Sequence, residues 1–348
     1  MNEQAMPTCA VARDRPRRRG VLAAAAALPL FAIGSRRADA AQFRYKFATG
    51  QSPTNPINLR LQGAIDRIRA ATDGRLAIRL FPNNQLGSDT DLINQVRTGG
   101  VAFLNIAASV LATVVPDTAL VNVGFAVADY RQVWQAVDGA LGQYILAQIA
   151  RIGVVPLANL GNNGFREITS SNKPVRTPDD LRGFRIRVPV APLFTSLFQA
   201  LGASPTSINF NEVYTALQTH LVAGQENGLV TIDTAKLYEV QKYCAMTNHI
   251  WDGFCLLGNQ AAFARLPGDI QDVVKHELAA AIIAQRADEE KLDASLRAQL
   301  AAKGLQFQDV DTGAFRATLR NTTFYRDWHA KFGKAGWDDL QAVVGALG

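Results

Sequence analysis

The sequence predicts an α/β fold built as two lobes. Three observations carry this. Strand and helix patterns alternate with short connections, which implies a sheet with helices on its faces. The 348 residues exceed one domain at about 100–200 residues each. Helical spacing also recurs from Pro267 to Lys303. At 1.5 Å per residue that helix is about 50 Å long, more than threefold the radius of gyration of about 15 Å for a 150-residue domain. Such a helix runs along two lobes rather than inside one.

The first forty residues read as an export signal. Arg13, Arg15, Arg17, Arg18 and Arg19 precede the apolar run Val21–Gly34. At about 21 Å the run falls short of a roughly 30 Å hydrocarbon core. Ala38-Asp39-Ala40 supplies an A-x-A cleavage pattern. Arg18-Arg19-Gly20-Val21-Leu22 resembles the twin-arginine export pattern; a general secretory signal with extra arginines is the alternative. Either route exports the mature chain. No later apolar run reaches 18 residues, so the mature chain is expected to insert no segment in a membrane.

Phe43–Ala48 alternates apolar and basic residues and opens the fold as a strand. After the loop Ser52–Pro56, residues Ile57, Leu61, Ile65 and Ile68 share a helical face that Thr72-Asp73-Gly74 ends. Leu76–Phe81 is a strand and Asp89–Thr98 a helix stopped by Gly99-Gly100; Val101–Ile106 is a buried-type strand. Val154–Asn159, Phe165–Ser170, Arg185–Val188 and Cys255–Asn259 read as further strands, and Asn211–Leu221 as a helix with Val213, Leu217 and Leu221 on one face. In the long helix, Ile270, Val274, Leu278 and Ile282, then Leu292, Leu296 and Leu300, keep helical spacing, with Gly304 as C-cap.

Catalytic signatures are missing. The chain has no G-x-S-x-G, no P-loop and no H-E-x-x-H. His220, His249, His276 and His329 have no second His or Cys at metal spacing and read as surface or hydrogen-bonded structural residues. No metal or cofactor is expected. Cys244 and Cys255 read as two buried free thiols, with a disulfide as the alternative.

The positive signals concern anions. Strand alternation puts Arg185 and Arg187 on one face and Ile186 and Val188 on the other. A guanidinium at a strand end binds a carboxylate through two parallel hydrogen bonds, although the pattern alone also fits a solvated edge. Arg166 follows a glycine turn at Gly164 and is equally ambiguous. Asn227 lies in a polar turn, Gly224–Gly228, where its amide can orient a carboxylate or simply make the turn.

These pieces are also recognisable together. Thr72–Leu76, Phe81–Asp89, Gly164–Ser170, Thr177–Pro189, Glu212–Thr219, Gly224–Asn227 and Tyr238–Tyr243 continuing to His249 resemble, in order, the motifs of dicarboxylate-binding solute receptors of TRAP transporters. The resemblance covers nearly all of the mature chain. It implies a two-lobed periplasmic binding protein of the class II-like, Venus-flytrap kind, with lobe I at residues 41–164 plus 253–292 and lobe II at 165–252 plus 293–348. It implies capture of a small organic acid and delivery to TRAP membrane subunits. It further implies that Arg187 makes the two-pronged salt bridge to ligand carboxylate, that Arg166 is a second cleft arginine, that Asn227 fixes the carboxylate and that Phe210 packs on the ligand. Ala223 stands where the family usually has Asp, and Gly228 where Pro is common, which implies a looser turn.

A secreted α/β enzyme acting on a small carboxylate is the competing expectation. The ligand stays open: Trp251, Phe210 and Tyr214 suit an aromatic or branched 2-oxo acid, whereas Asn162 and Asn163 suit the hydroxyls of a sugar acid. The formal charge of +6 invites a nucleic-acid partner, but residues 1–40 hold seven basic and three acidic residues. The remainder carries 29 basic and 27 acidic residues, so the nucleic-acid reading falls away.

Overall fold

The computed structural model describes residues 41–347; the expected leader, residues 1–40, lies outside them. Eleven strands occur among the described residues: β1 Phe43–Thr49, β2 Leu76–Phe81, β3 Phe103–Ala107, β4 Val154–Pro156, β5 Gly161–Ser170, β6 Arg185–Val188, β7 Ser204–Ser207, β8 Gly224–Gly228, β9 Tyr243–Met246, β10 Trp251–Asn259 and β11 Gln306–Asp309. They run in the order β2-β1-β3-β10-β5-β8-β6-β7, with β4 on β10, β9 on β5 and β11 on β9. β1 is parallel to β2 and β3, and β6 is parallel to β7 and β8. β5 and β10 are antiparallel to their neighbours on the main path and join the two halves.

The handover lies inside β5. Its residues up to Phe165 pair with β10, and those from Arg166 pair with β8. Two glycines make this crossing possible. Gly164 has φ +82°, and a Cβ at Gly228 would sit 2.7 Å from the Asn163 carbonyl oxygen.

Local signals explain the first elements. Asn55 caps the helix Pro56–Ala71 by accepting from the Ile57 N–H, and Pro56 occupies its first turn. Ser88 and Asp91 form a capping box at the helix Asp89–Thr98, which Gly99 ends in the left-handed region. The long helix is Gly268–Ala302, with Gly304 at φ +102° beyond it. Its first half packs Ile270, Val274, Leu278 and Ile282 against Phe47, Ile57 and Leu61. Its second half packs Leu296 and Leu300 against Val213, Leu217 and Leu229. One helix therefore seals the core of each half. The C-terminal helices brace both sides: the Tyr325 hydroxyl donates to the Gly124 carbonyl at 2.8 Å, and the Trp328 indole to Ser196 Oγ at 3.1 Å.

Several expectations are corrected. The helix expected over Asn211–Leu221 is a 3₁₀ turn, Phe210–Glu212, followed by Val213–Gln218. His220 takes φ +57° and turns the chain toward β8, leaving Leu221 60% exposed instead of on the buried face. Gly224–Gly228 is a buried strand and not a turn. Gly228 accordingly serves close strand contact rather than a looser turn. The Gly164 turn is likewise internal to β5. Cys244 and Cys255 are free and buried, and burial raises both thiols above their ordinary range. Among the described residues no helix is long and apolar enough to cross a membrane.

Candidate functional site

Arg187 is not on a solvated edge, because β6 lies between β7 and β8. Its neighbour Arg185 is exposed; Arg187 itself is 2% exposed. Its Nε and Nη2 both donate to the Ile208 carbonyl, at 2.9 and 2.7 Å. Among the described residues no carboxylate forms an ion pair with it. Burial draws its pKa down to about 10; Glu226 and Asp89 resist that, and the neighbouring Arg166 adds to it.

Arg166 is equally buried but fully engaged. Its Nη2 donates to Glu226 Oε1 at 2.9 Å and to the Glu226 carbonyl at 2.8 Å, while its Nε bonds Glu226 Oε2. Its Nη1 reaches Asp252 Oδ2 at 3.5 Å, and the Phe194 ring lies 5.2 Å from the guanidinium. Burial lowers the Arg166 pKa, but the Glu226 carboxylate and then Asp252 more than restore it. Glu226 is held below its ordinary range although burial opposes this, because Arg166 and His249 both favour the anion. His249 is buried with Nε2 3.3 Å from Glu226 and Nδ1 2.8 Å from Thr247 Oγ1, and burial lowers its pKa. Asp252 also accepts from Ser109 Oγ at 2.8 Å and Asn122 Nδ2 at 2.9 Å.

Register sets these groups on opposite faces. Arg187 pairs with Gln225, and Asn227 lies two residues along β8 on the same face. Arg166 pairs with Gly228, which shares its face with Glu226. The Asn227 amide donates to Gln225 Oε1, so the structure brings Asn227 beside the register partner of Arg187.

The other expected residues separate. Phe210 lines a depression of about 340 Å³ with Gly50, Ser52, Asn83, Asn84 and Lys236. Asn84 Nδ2 donates to Asp89 Oδ1 at 2.7 Å, and Asp89 in turn acts on the charge of Arg187. Burial raises the Asp89 carboxyl, opposed by the Asn84 bond and by Arg187. Tyr214 does not join this group: its hydroxyl donates to Glu239 at 2.9 Å in a different depression. Trp251 is also absent from it. Its indole donates to Asn162 Oδ1 at 2.9 Å, and its ring meets Trp134 edge-on. The expected aromatic cluster is thus not assembled. Asn162 Oδ1 accepts from Trp251 and the Gly164 N–H and Asn163 donates to Asp252, while Asn162 Nδ2 is buried with no partner among the described residues. Among the described residues no three His, Cys, Asp or Glu are arranged to hold a metal ion.

This arrangement has known counterparts. The sequence model of bacterial extracellular solute-binding protein family 7 matches residues 47–327. The chain belongs to this family. The solute-binding protein RD1_1052 of Roseobacter denitrificans is 35% identical over 83% of this chain and 89% of that protein. Its crystal structure, described as a TRAP periplasmic solute-binding protein with bound L-galactonate, superposes with a TM-score of 0.80 at 31% identity, over 87% of this chain and 99% of that one. The 2,3-diketo-L-gulonate-binding periplasmic protein YiaO of Escherichia coli is 30% identical over 91% of this chain and 95% of its own length. An uncharacterized Sinorhizobium fredii protein, y4mM, is 35% identical over 64% of this chain and is longer; the chain spans 41% of it. The family 7 protein is therefore a TRAP-type solute receptor with the two-lobed α/β fold, and not an enzyme.

Sequence reasoning did not single out Asp89, Glu226 or Asp252 in this receptor. A signal existed for each. Asp89 closes the motif Phe81–Asp89, Glu226 stands beside Asn227, and Asp252 follows Trp251. Their roles depend on partners about 60 to 140 positions away.

Proposed function

We propose that this receptor captures a small hydroxylated organic acid in the periplasm, seats its carboxylate on Arg187 with the Asn227 amide beside it, and delivers it to TRAP membrane subunits. The observation that carries this reading is Arg187, a buried guanidinium bonded to one carbonyl while its neighbour Arg166 holds two carboxylates. A buried charge needs a counter-charge, and a ligand carboxylate supplies it in bidentate form. Asp89 beside Arg187 favours one ligand carboxylate over two, because a second would face a like charge. Hydroxyl donors on the ligand suit the buried acceptors Asn84 Oδ1, Asn105 Oδ1 and Asn209 Oδ1, which have no partner among the described residues. Asn84 touches Asp89, Asn105 neighbours Thr49 at the end of β1, and Asn209 follows Ile208. Arg166 acts through position rather than contact, holding β5 to β8 through Glu226.

Lobe I takes residues 41–164 plus 253–292 and lobe II residues 165–252 plus 293–348, a division supported by the exchange of partners at Phe165 and Arg166. The lobes close on the ligand. Residues 1–40 direct twin-arginine export to the periplasm, and replacing Arg18 and Arg19 by lysine then leaves the precursor inside the cell, as fractionation reads.

Calorimetry on the mature chain tests the ligand class. L-galactonate is expected to bind at least about tenfold tighter than succinate, the difference of about one or two neutral hydrogen bonds from its hydroxyls. Equal or preferred succinate binding removes the hydroxylated single-acid class, and binding of neither, with no carboxylate raising the melting temperature, removes the reading of Arg187.

A further inference from the structure

The long helix carries a gap in its apolar stripe. Between Ile282 and Leu296 the residues it buries are Gln285, Arg286 and Glu289. This interval lies where the helix crosses the β5 handover. Gln285 brackets Asn162, donating to its carbonyl at 2.7 Å and accepting from its N–H at 2.9 Å. Asp293 Oδ2 and Glu289 Oε1 stand 3.6 and 3.9 Å from where a Cβ of Gly164 would be. Gln285, Glu289 and Asp293 are spaced i, i+4, i+8, one stripe aimed at the crossing strand.

A third carboxyl, Glu167 on β5, lies close enough for the Asp293 charge to act on it. Glu167 is 2% exposed and accepts from the Asn248 N–H at 3.0 Å. None of the three has a cation bonded to it among the described residues. Arg286 is bonded to Asp138 and the Leu160 carbonyl, and Arg297 to Asp309. The groups acting on them from every side are Tyr130, whose hydroxyl bonds Asp293, then Asp288, Glu290 and Arg297 on the helix and Cys244 on β9. Of these only Arg297 is positive, and it lies near the surface. Burial holds Glu289 well above its ordinary range, Glu167 at about 8 and Asp293 at about 6; repulsion from Asp293 adds to this on Glu289 and Glu167, and repulsion from Glu290 on Asp293.

We propose that Glu167, Glu289 and Asp293 form a proton-dependent hinge: protonated, they let the long helix sit on the β5 crossing, and their ionisation loosens that seat and shifts the lobes toward separation. The physical reason is desolvation. Ionised carboxyls at this crossing have only neutral donors, the Asn248 N–H on Glu167, the Gln285 amide on Glu289 and the Tyr130 hydroxyl on Asp293, and parting the helix from β5 adds water to these. Proton release and hinge opening are therefore linked, each favouring the other.

The proposal rests on the lobe closure inferred above, and the test separates the two. Nitroxide labels are placed at exposed Ala70→Cys in lobe I and Gln218→Cys in lobe II, with buried Cys244 and Cys255 left unreacted. Their distance distribution is measured without ligand at about pH 5.5 and about pH 8.5, either side of the values of about 6 for Asp293 and about 8 for Glu167. The separated population is expected to rise about threefold or more, the effect of half a unit of differential proton affinity. In Glu289→Gln/Asp293→Asn the rise is expected to vanish, and in Glu167→Gln to shrink; the second variant decides the matter if the first does not fold. A distribution that ignores pH in the parent chain, or keeps its full pH response in the folded variants, overturns the hinge. If L-galactonate at fixed pH contracts the distance while pH does not change it, the hinge alone falls; if neither changes it, closure falls with it.

Discussion

Arg166 and Arg187 flank the same strand, β8, and are equally buried, yet they live in opposite electrostatic worlds. Arg166 is enclosed by Glu226 and Asp252, and its charge is neutralised inside the protein. Arg187 has a single backbone carbonyl and a pKa drawn down to about 10. The difference teaches what each is for. A saturated cation holds strands together, whereas an under-compensated one keeps bonding capacity for something that arrives from outside. It follows that the two should respond oppositely to mutation.

Arg187→Ala gives the largest expected effect. Two charge-assisted hydrogen bonds at about 1.5–3 kcal/mol each amount to roughly a hundredfold to ten-thousandfold in affinity. Calorimetry with a bound organic acid reads it directly. The melting temperature of the ligand-free variant is expected to stay level or rise, since a poorly compensated buried charge is removed. A collapse in stability would place Arg187 in the same structural class as Arg166. Arg187→Lys sharpens the point: it keeps the charge, loses the fork and should still bind weakly.

Glu226→Ala is the mirror image. It strands Arg166 with a distant Asp252 and leaves His249 without its acceptor. Breaking a buried pair costs about 3–5 kcal/mol, and calorimetric or denaturant unfolding should show it without any ligand present. Unchanged stability would mean that Asp252 alone compensates Arg166. Asn227→Ala comes next. Losing one amide donor to a carboxylate costs about 1.5–3 kcal/mol of binding, roughly tenfold to a hundredfold, with little change in melting.

How far the sequence reveals this contrast depends on range. Elements with local signals are plain: β2, β6 and the helix Asp89–Thr98 fall where capping and alternation put them, and the long helix matches its apolar spacing. β8 is opaque because Gly-Gln-Glu-Asn-Gly has the composition of a turn. It becomes a strand because Thr169 and Arg166 satisfy its polar groups inside the sheet. Arg187 is visible as a strand arginine, but its lack of an acid partner among the described residues is a property of distant chain segments. Tyr214 and Trp251 mislead for the same reason: an aromatic residue near a motif has no direction in sequence, and here one meets Glu239 and the other Trp134.

The smallest effect sets the paired acid against an unpaired one. Glu226 has its folded pKa lowered, so its contribution is complete above the unfolded value of about 4.3 and is lost only as pH falls through the folded one. Glu167 has its folded pKa raised to about 8, so the folded state holds a proton that the unfolded chain releases above about 4.3. Its penalty grows as pH climbs from there to about 8 and is constant beyond. Between about pH 5 and 8 the Glu226 contribution is flat, and stability should fall with a slope of at most about 1.4 kcal/mol per pH unit from Glu167. For a chain of this size that is a few degrees of melting temperature per unit. Glu167→Gln should flatten this limb while leaving the acid limb in place; a variant whose melting temperature follows the parent curve through neutrality would show that Glu167 ionises freely in the fold, as an acid with a counter-charge would.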